Sequence, residues 1–206
     1  MARYTGPVCK LCRAVGMKLY LKGTRCTSPK CAIEKRNYRP GQHGQGRTKL
    51  SEYAIRLKEK QKARWTYGML EKQFRRTFAD AARARGNTGA KFLELLERRL
   101  DNIVYRLGFA ISRSQARQFV NHGHFEVNGR RASTPSLRVR PGDQITVVEA
   151  SRKFVKETLE AVNLPASPPW LESNREELKG RIVRTPEREE VDTPVRELLI
   201  VEFYSR

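Results

Sequence analysis

All four cysteines of this 206-residue chain fall in one stretch, CKLCRAVGMKLYLKGTRCTSPKC, at Cys9, Cys12, Cys26 and Cys31. Thiols gathered in this way could pair as disulfides, work as a redox couple or bind a metal. A disulfide framework suits small secreted domains led by an apolar signal segment, and MARYTGPVCKLCRA offers no such run. A redox CxxC opens a helix beside a strand and has no use for a second pair. Here a second pair follows after thirteen residues, enough for a short loop to return. The pattern suits a tetrahedral four-thiolate site, with zinc the first expectation, an iron–sulfur cluster the second and unmetallated thiols the third. Four thiolates close the shell, so such a metal is structural. It would supply the core that a segment of about 40 residues with few large apolar side chains lacks.

The second chemistry is electrostatic. Forty-two Lys and Arg face 22 Asp and Glu, a formal net charge of +20. So large an excess repels itself in the folded state and calls for a polyanionic partner. No membrane partner is expected: no apolar run approaches the roughly 18 residues of a span, and the basic residues do not lie opposite a Trp, Phe and Leu face. Nucleic acid remains. Residues 1–98 carry 24 basic and 7 acidic side chains, residues 99–150 carry 8 and 4, and residues 151–206 carry 10 and 11, so the first half should make most phosphate contacts. In EKRNYRPGQHGQGRTKL, residues 34–50, Gly, Pro and Gln break any period. This segment reads as an irregular basic arm that orders on its partner, with Arg36, Arg39, Arg47 and Lys49 for charge and Tyr38 and His43 to stack on bases. The catalytic inventory is thin: three His, at 43, 122 and 124, and no GxSxG, P-loop or GxGxxG.

The elements that must position these groups follow from periodicity. Ser51 can cap a charged helix through EYAIRLKEKQKARWTYG, suited to lying on a phosphate backbone. MLEKQFRRTFADAARAR places Leu70, Phe74 and Phe78 on one side, with Gly86 at its end. AKFLELLERRLDNIVYRLG repeats Leu93, Leu96, Leu100, Ile103 and Leu107 at threes and fours, one core helix ended by Gly108. Ser112 and Gln115 predict a reciprocal capping box on the helix SRSQARQFVNHG. HFEVNGRRA then alternates Phe125 and Val127 inward around an Asn128-Gly129 hairpin. LRVRPGDQITVVE predicts a strand with Leu137 and Val139 inward, a Pro141-Gly142 turn and a strand on Ile145 and Val147. A helix over residues 152–163, a strand near GRIVR and a closing apolar strand, ELLIVEFY, complete the chain. The fold class is α+β: an N-terminal four-cysteine zinc segment and helical domain, then a small α+β module with a short antiparallel sheet. The expected divisions are a zinc segment and basic arm over residues 1–45, a helical domain over 46–98 with residues 198–206 a candidate to join it, and an α+β domain over 99–197 whose binding module spans about 99–163.

RLDNIVYRLGFAISRSQARQFVNHGHFEVNGRR, followed by RVRPGDQITV, strongly resembles the RNA-binding module named after ribosomal small-subunit protein four. MARYTGP, RPGQHG, EKQFR, LLERRLDNIVYRLGFA and LLIVEFYSR extend that resemblance nearly end to end to the bacterial S-four ribosomal family, and the four cysteines resemble its zinc-bearing form. The resemblance implies a non-enzymatic, cytoplasmic ribosome constituent. It would bind 16S ribosomal RNA at a multi-helix junction of the 5′ domain, nucleate the 30S body, adjoin proteins S-five and S-three, lie near the mRNA entrance and influence decoding accuracy. Its own mRNA is a further candidate partner. Read with the physics, Ser112 and the start of its helix should hold a phosphate, with Arg113 and Arg117 exposed beside it and Arg130 and Arg131 on the hairpin. The remaining candidate RNA contacts are Arg3, Arg36, Arg39, His43, Arg47, Lys49, Tyr53, Arg56, Lys60, Lys62 and Arg75. Alternatives are an RNA-binding regulator or RNA-modification accessory protein built on the same module, and a zinc-dependent DNA-binding regulator. The last would need a recognition helix where RPGQHGQGR stands.

Overall fold

Serine hydroxyls at Ser51 and Ser112 start two of the helices in the computed structural model, which describes residues 3–46, 49–160 and 166–205. In chain order the helices are α1 (Val8–Val15), α2 (Ala32–Lys35), α3 (Glu52–Thr66), α4 (Glu71–Arg83), α5 (Thr88–Glu97), α6 (Leu100–Arg106), α7 (Arg113–Asn121), α8 (Arg152–Glu160) and α9 (Glu197–Tyr204). The strands are β1 (Phe125–Val127), β2 (Arg130–Arg131), β3 (Gln144–Val147), β4 (Leu171–Asn174) and β5 (Lys179–Ile182). The chain divides into two compact units, Met1–Phe92 with Thr193–Arg206, and Leu93–Asp192. Residues 1–45 thus share a unit with α3 and α4.

In the first unit Ser51 caps α3 as expected, its Oγ accepting the Ala54 N–H at 3.2 Å. The core is aromatic: Phe92 meets Phe74 edge-on at 5.0 Å and Phe78 at 5.5 Å, and Tyr204 lies 4.6 Å from Phe78. Leu70 is exposed, because α4 begins after it. The closing segment ELLIVEFY is a helix, α9, and not the expected strand. A short apolar run fits either period. Here Ile200 is buried and Tyr204 joins the Phe74–Phe78 cluster, contacts four residues apart on one helical face. The basic arm is also more ordered than the sequence suggests. Arg13 of α1 donates to the carbonyls of Tyr38 and Arg39 at 3.0 and 3.3 Å, with its guanidinium 4.8 Å from the centre of the Tyr38 ring.

The second unit is an antiparallel sheet in the order β2-β1-β3-β5-β4, with α6 and α7 supplying apolar faces to a core that includes Leu100, Ile103, Leu107, Phe109, Phe125, Ile145 and Trp170. The Asn128-Gly129 hairpin is present, both residues at positive φ (52° and 74°), as a type I′ turn requires. Three expectations are corrected. The single helix through residues 90–108 is two helices, because Arg98 and Arg99 leave the helix: the Arg98 carbonyl accepts from Val139 N–H, the Leu137 carbonyl from Leu100 N–H, and Arg99 bridges Arg138. That bridge is all the strand structure around Leu137 and Val139, and Leu137 is 39% exposed while Val139 is buried. The capping box is shifted by one residue. Ser112 Oγ accepts the Gln115 N–H, but Gln115 Oε1 accepts from Ile111 N–H at 2.8 Å. Of the helix expected over residues 152–163, α8 covers 152–160 and residues 161–163 lie outside the described residues.

Gly180, opposite Ile145 in the sheet, has no room for a side chain: a Cβ there would stand 2.6 Å from both methyls of the fully buried Leu107. Gly180→Ala should therefore destabilise the chain by about 1–3 kcal/mol through overpacking. The check is urea unfolding, read as a lower midpoint at unchanged slope.

Candidate nucleic-acid interface and cysteine cluster

The first unit holds 25 Lys and Arg but only seven Asp and Glu. Those acids decide which cations become structural. Glu71 takes Lys60 at 2.8 Å, Glu59 takes Lys62 at 2.6 Å, and Glu52 and Glu202 take Arg56 at 3.1 and 2.6 Å. Lys60 and Lys62 are buried and Arg56 is half-buried, so these three candidates are fixed on the protein itself. Burial pushes the Glu71 carboxyl up, but the hydrogen bonds from Lys60 and Tyr204 outweigh it and hold that carboxyl below its ordinary value.

Other candidates face solvent: Arg3, Arg36, His43, Lys49, Tyr53 and Arg75 are exposed, Arg39 is half-buried, and Arg47 lies outside the described residues. Around them stand cations that periodicity alone did not single out. On α4, exposed Lys72, Arg76 and Arg83 lie on the side away from buried Phe74, Phe78 and Ala81, beside the candidate Arg75, and exposed Arg85 follows. A helical wheel of α4 would have found this stripe. Lys58 of α3 has its ammonium pKa lowered by burial and, next, by Arg39. Two cations crowded together are costly without an anion, and nothing in their sequence spacing announces the meeting.

The cysteines occupy three short elements of the same unit. Cys9 and Cys12 lie in α1, Cys26 ends a 3₁₀ turn (Gly23–Cys26), and Cys31 precedes α2. None is in a disulfide, and Cys12, Cys26 and Cys31 are buried. Burial pushes the Cys12 thiol up against a backbone hydrogen bond from Leu19, and Cys26, Cys9 and Cys31 lie close enough to push it further. Lys22 N–H donates to Cys26 Sγ at 3.3 Å. Thiols supported by backbone N–H groups fit a thiolate metal site in donor type. In spacing they do not yet form one: among the described residues, no three His, Cys, Asp or Glu side chains are placed to hold an ion.

In the second unit the start of α7 is built around a buried carboxylate. Asp101 accepts two hydrogen bonds from Arg99, at 3.1 and 2.7 Å, and one from Arg117 at 3.0 Å, and all three side chains are buried. Arg117 is thus structural, which corrects the expectation that it sits exposed beside Arg113. Spacing alone does not separate the two, since residues four apart share one helical face. Arg113 is half-buried, donating to Asn102 Oδ1 at 2.8 Å and lying 4.5 Å from the centre of the Tyr105 ring. Ser112 is buried with its hydroxyl engaged by the cap. Arg130 and Arg131 are exposed on β2, where Arg131 Nε donates to the Gly123 carbonyl at 2.8 Å and so fixes that edge against the end of α7. Arg138 and Arg140 are exposed nearby in sequence.

Residues 3–97 match the Ribosomal protein S4/S9 N-terminal domain, and residues 98–145 match the S4 domain. The small ribosomal subunit protein uS4 of Gloeobacter violaceus is 79% identical over 206 residues, spanning the whole of both chains. The chain belongs to the uS4 family. Further uS4 proteins, from Thermus thermophilus and Dictyoglomus turgidum, are 58% and 55% identical over 209 and 206 residues, again over the full length of both chains. The S4 domain match takes in α6, α7, β1 and β2 and so contains the Asp101 cluster and the hairpin arginines.

Arg117→Ala should cost stability, near the lower end of the ~3–5 kcal/mol for breaking a buried ion pair, because Arg99 still holds Asp101. Arg113→Ala should cost about 1 kcal/mol, the scale of one hydrogen bond. Chemical unfolding of the two variants side by side checks the contrast, and equal losses would contradict the assignment of Arg117 to the core.

Proposed function

We propose that this chain is a structural, non-enzymatic constituent of the bacterial small ribosomal subunit, working in the cytoplasm by gripping 16S ribosomal RNA. The observation that carries this reading is full-length identity of 55–79% to proteins named small ribosomal subunit protein uS4. The S4 domain is an rRNA-binding module, and the charge pattern supports the same mechanism: a first unit whose few acids are spent on internal pairs leaves its remaining cations for phosphates. Recognition would be mainly of backbone shape, as expected for folded RNA, with Tyr38, His43 and Tyr53 adding base stacking. In finer terms, the chain would bind early at a junction of the 5′ domain, organise the 30S body, adjoin proteins S-five and S-three, and reach the mRNA entrance with the residues around Lys49. There it would influence decoding accuracy, and repression of its own mRNA would use the same surface.

If about ten phosphates are neutralised, log K for 16S RNA should fall with log salt at a slope of roughly −7 to −9. Titration of the purified chain onto 16S RNA at several salt concentrations, with footprinting of the complex, measures this. A slope shallower than about −3, or no footprint, would remove the electrostatic account.

The four cysteines are proposed to hold one structural zinc, an iron–sulfur cluster being the less favoured occupant. Support comes from their residue type, paired spacing, shared neighbourhood and the N–H donor to Cys26. Zinc would fix the fold of residues 9–31 and perform no reaction. Elemental analysis should find one colourless metal per chain, released by Cys12→Ser. Chelation should make residues 1–45 protease-sensitive while the second unit, with its own apolar core, still unfolds cooperatively. Absence of metal, or a strong iron absorption band, would eliminate zinc.

A further inference from the structure

Within the first unit, α3, α4 and α9 enclose a cleft of about 650 Å³. That is the size of sites that take a small molecule or one nucleotide, in the range of about 300–1,000 Å³. One wall is aromatic. Tyr53, 57% exposed, stands 5.7 Å from Phe203 with the rings tilted by 37°, and Lys60 Nζ lies 5.0 Å from the centre of the Phe203 ring. The charged part of the lining is mostly cationic, with Arg56, Lys60, Arg64 and Arg75 against a single acid, Glu71.

The internal pairs of this cleft leave a definite remainder. Arg56 is held by Glu52 and Glu202, and Glu71 is engaged by Lys60 at 2.8 Å and by the Tyr204 hydroxyl at 2.9 Å. Arg64 stands 3.7 Å from Glu71, beyond hydrogen-bond distance, and its Nε is buried without a partner. Gln61, also in the lining, has its Oε1 buried without a partner. Arg75 reaches solvent. The cleft therefore combines an exposed aromatic ring and an outer cation with a wall whose residues bury one unmet donor and one unmet acceptor. A bare phosphate would leave the ring and the amide acceptor idle, whereas a nucleotide offers a π-face, an edge with both donors and acceptors, and a phosphate.

We propose that this cleft receives one unpaired nucleotide of the bound RNA, its base against Tyr53 and Phe203, its edge toward Gln61 and Arg64, and its phosphate on Arg75. The inference rests on the RNA-binding reading above and adds a base-holding site to a surface otherwise read as phosphate-binding. It also gives the C-terminal helix a direct part in binding, through Phe203.

The test uses the full chain with 16S RNA. Ultraviolet crosslinking and mass spectrometry should join one nucleotide to a peptide of α3 or α9 that includes Tyr53 or Phe203. Tyr53→Ala, at an exposed position, should weaken binding roughly 5- to 100-fold, the scale of one lost base stack, with the salt slope unchanged. Tyr53→Phe should restore most of that affinity. Arg75→Ala should instead reduce the slope by about one. Wild-type binding with no crosslink in these peptides and no loss in Tyr53→Ala would overturn the cleft while leaving the RNA-binding reading intact. So would loss on Arg75→Ala alone, which marks a phosphate contact without a base. No preference of the wild-type chain for 16S RNA over unrelated RNA would overturn both.

Discussion

Like charges in the first unit repel, and only seven carboxylates stand there against 25 cations. The placement of those carboxylates governs the rest. Glu59 and Glu71 neutralise the two lysines that α3 buries, Lys60 and Lys62, and Glu52 and Glu202 share Arg56. An unpaired buried ammonium would lose several kcal/mol of hydration, so these pairs are conditions for packing α3 and not surface decoration. By contrast, the α4 stripe of Lys72, Arg75, Arg76 and Arg83 can stay charged only because it faces water or an anion. One sorting rule thus separates much of the fold from function: the lysines that α3 buries most deeply each meet an acid, and the α4 surplus is presented outward.

The second unit solves a different problem with the same groups. Its charges nearly balance, and its arginines are used to lock geometry. Asp101 draws Arg99 and Arg117 together beneath the start of α7, and Asn102 donates to Glu97 while accepting from Arg113. Glu97 in turn is gripped by Arg106 at 3.0 and 2.9 Å. A chain of buried polar groups satisfied at nearly every atom, Arg117 Nε being the exception, has few alternative arrangements, since any slip strands a charge in the interior. The consequence is that α6 and α7 meet in one register, and Arg131, tied to Gly123 at the end of α7, holds the hairpin edge to that register too.

Local signals survived best in the sequence. Ser51 and Ser112 cap helices as their side-chain chemistry dictates, Asn128-Gly129 turns the hairpin, and Phe125, Ile145 and Val147 point inward on alternating positions. What failed depended on distant partners. The leucine repeat from Leu93 to Leu107 runs through a break that exists only because Arg98 and Leu100 exchange backbone hydrogen bonds with residues about 40 positions away. ELLIVEFY has the composition of a strand and becomes α9 because α3 and the Phe74–Phe78 cluster offer a helical groove. Arginine is the least legible residue: Arg75 and Arg117 look alike in sequence, yet one is exposed and the other is 6% exposed on Asp101. Which arginine binds RNA is therefore decided by where the acids fold, information that no local window contains.

The N-terminal segment brings both constraints to one place. Residues 3–46 contain ten Lys and Arg and a single acid, Glu34, which pairs with Lys18 at 2.5 Å. Apart from Cys12, Cys26 and Cys31, Leu19 is the one apolar side chain buried among them. Ion pairing and hydrophobic burial, which hold the rest of the unit, are therefore both scarce here. Four thiolates on one divalent cation would leave two net negative charges. At Cys9, Cys12, Cys26 and Cys31 that charge would stand in for missing carboxylates as well as for a missing core. The same centre would steady α1, whose Arg13 holds the Tyr38 and Arg39 carbonyls, so the position of the basic arm would follow from the state of the cysteines.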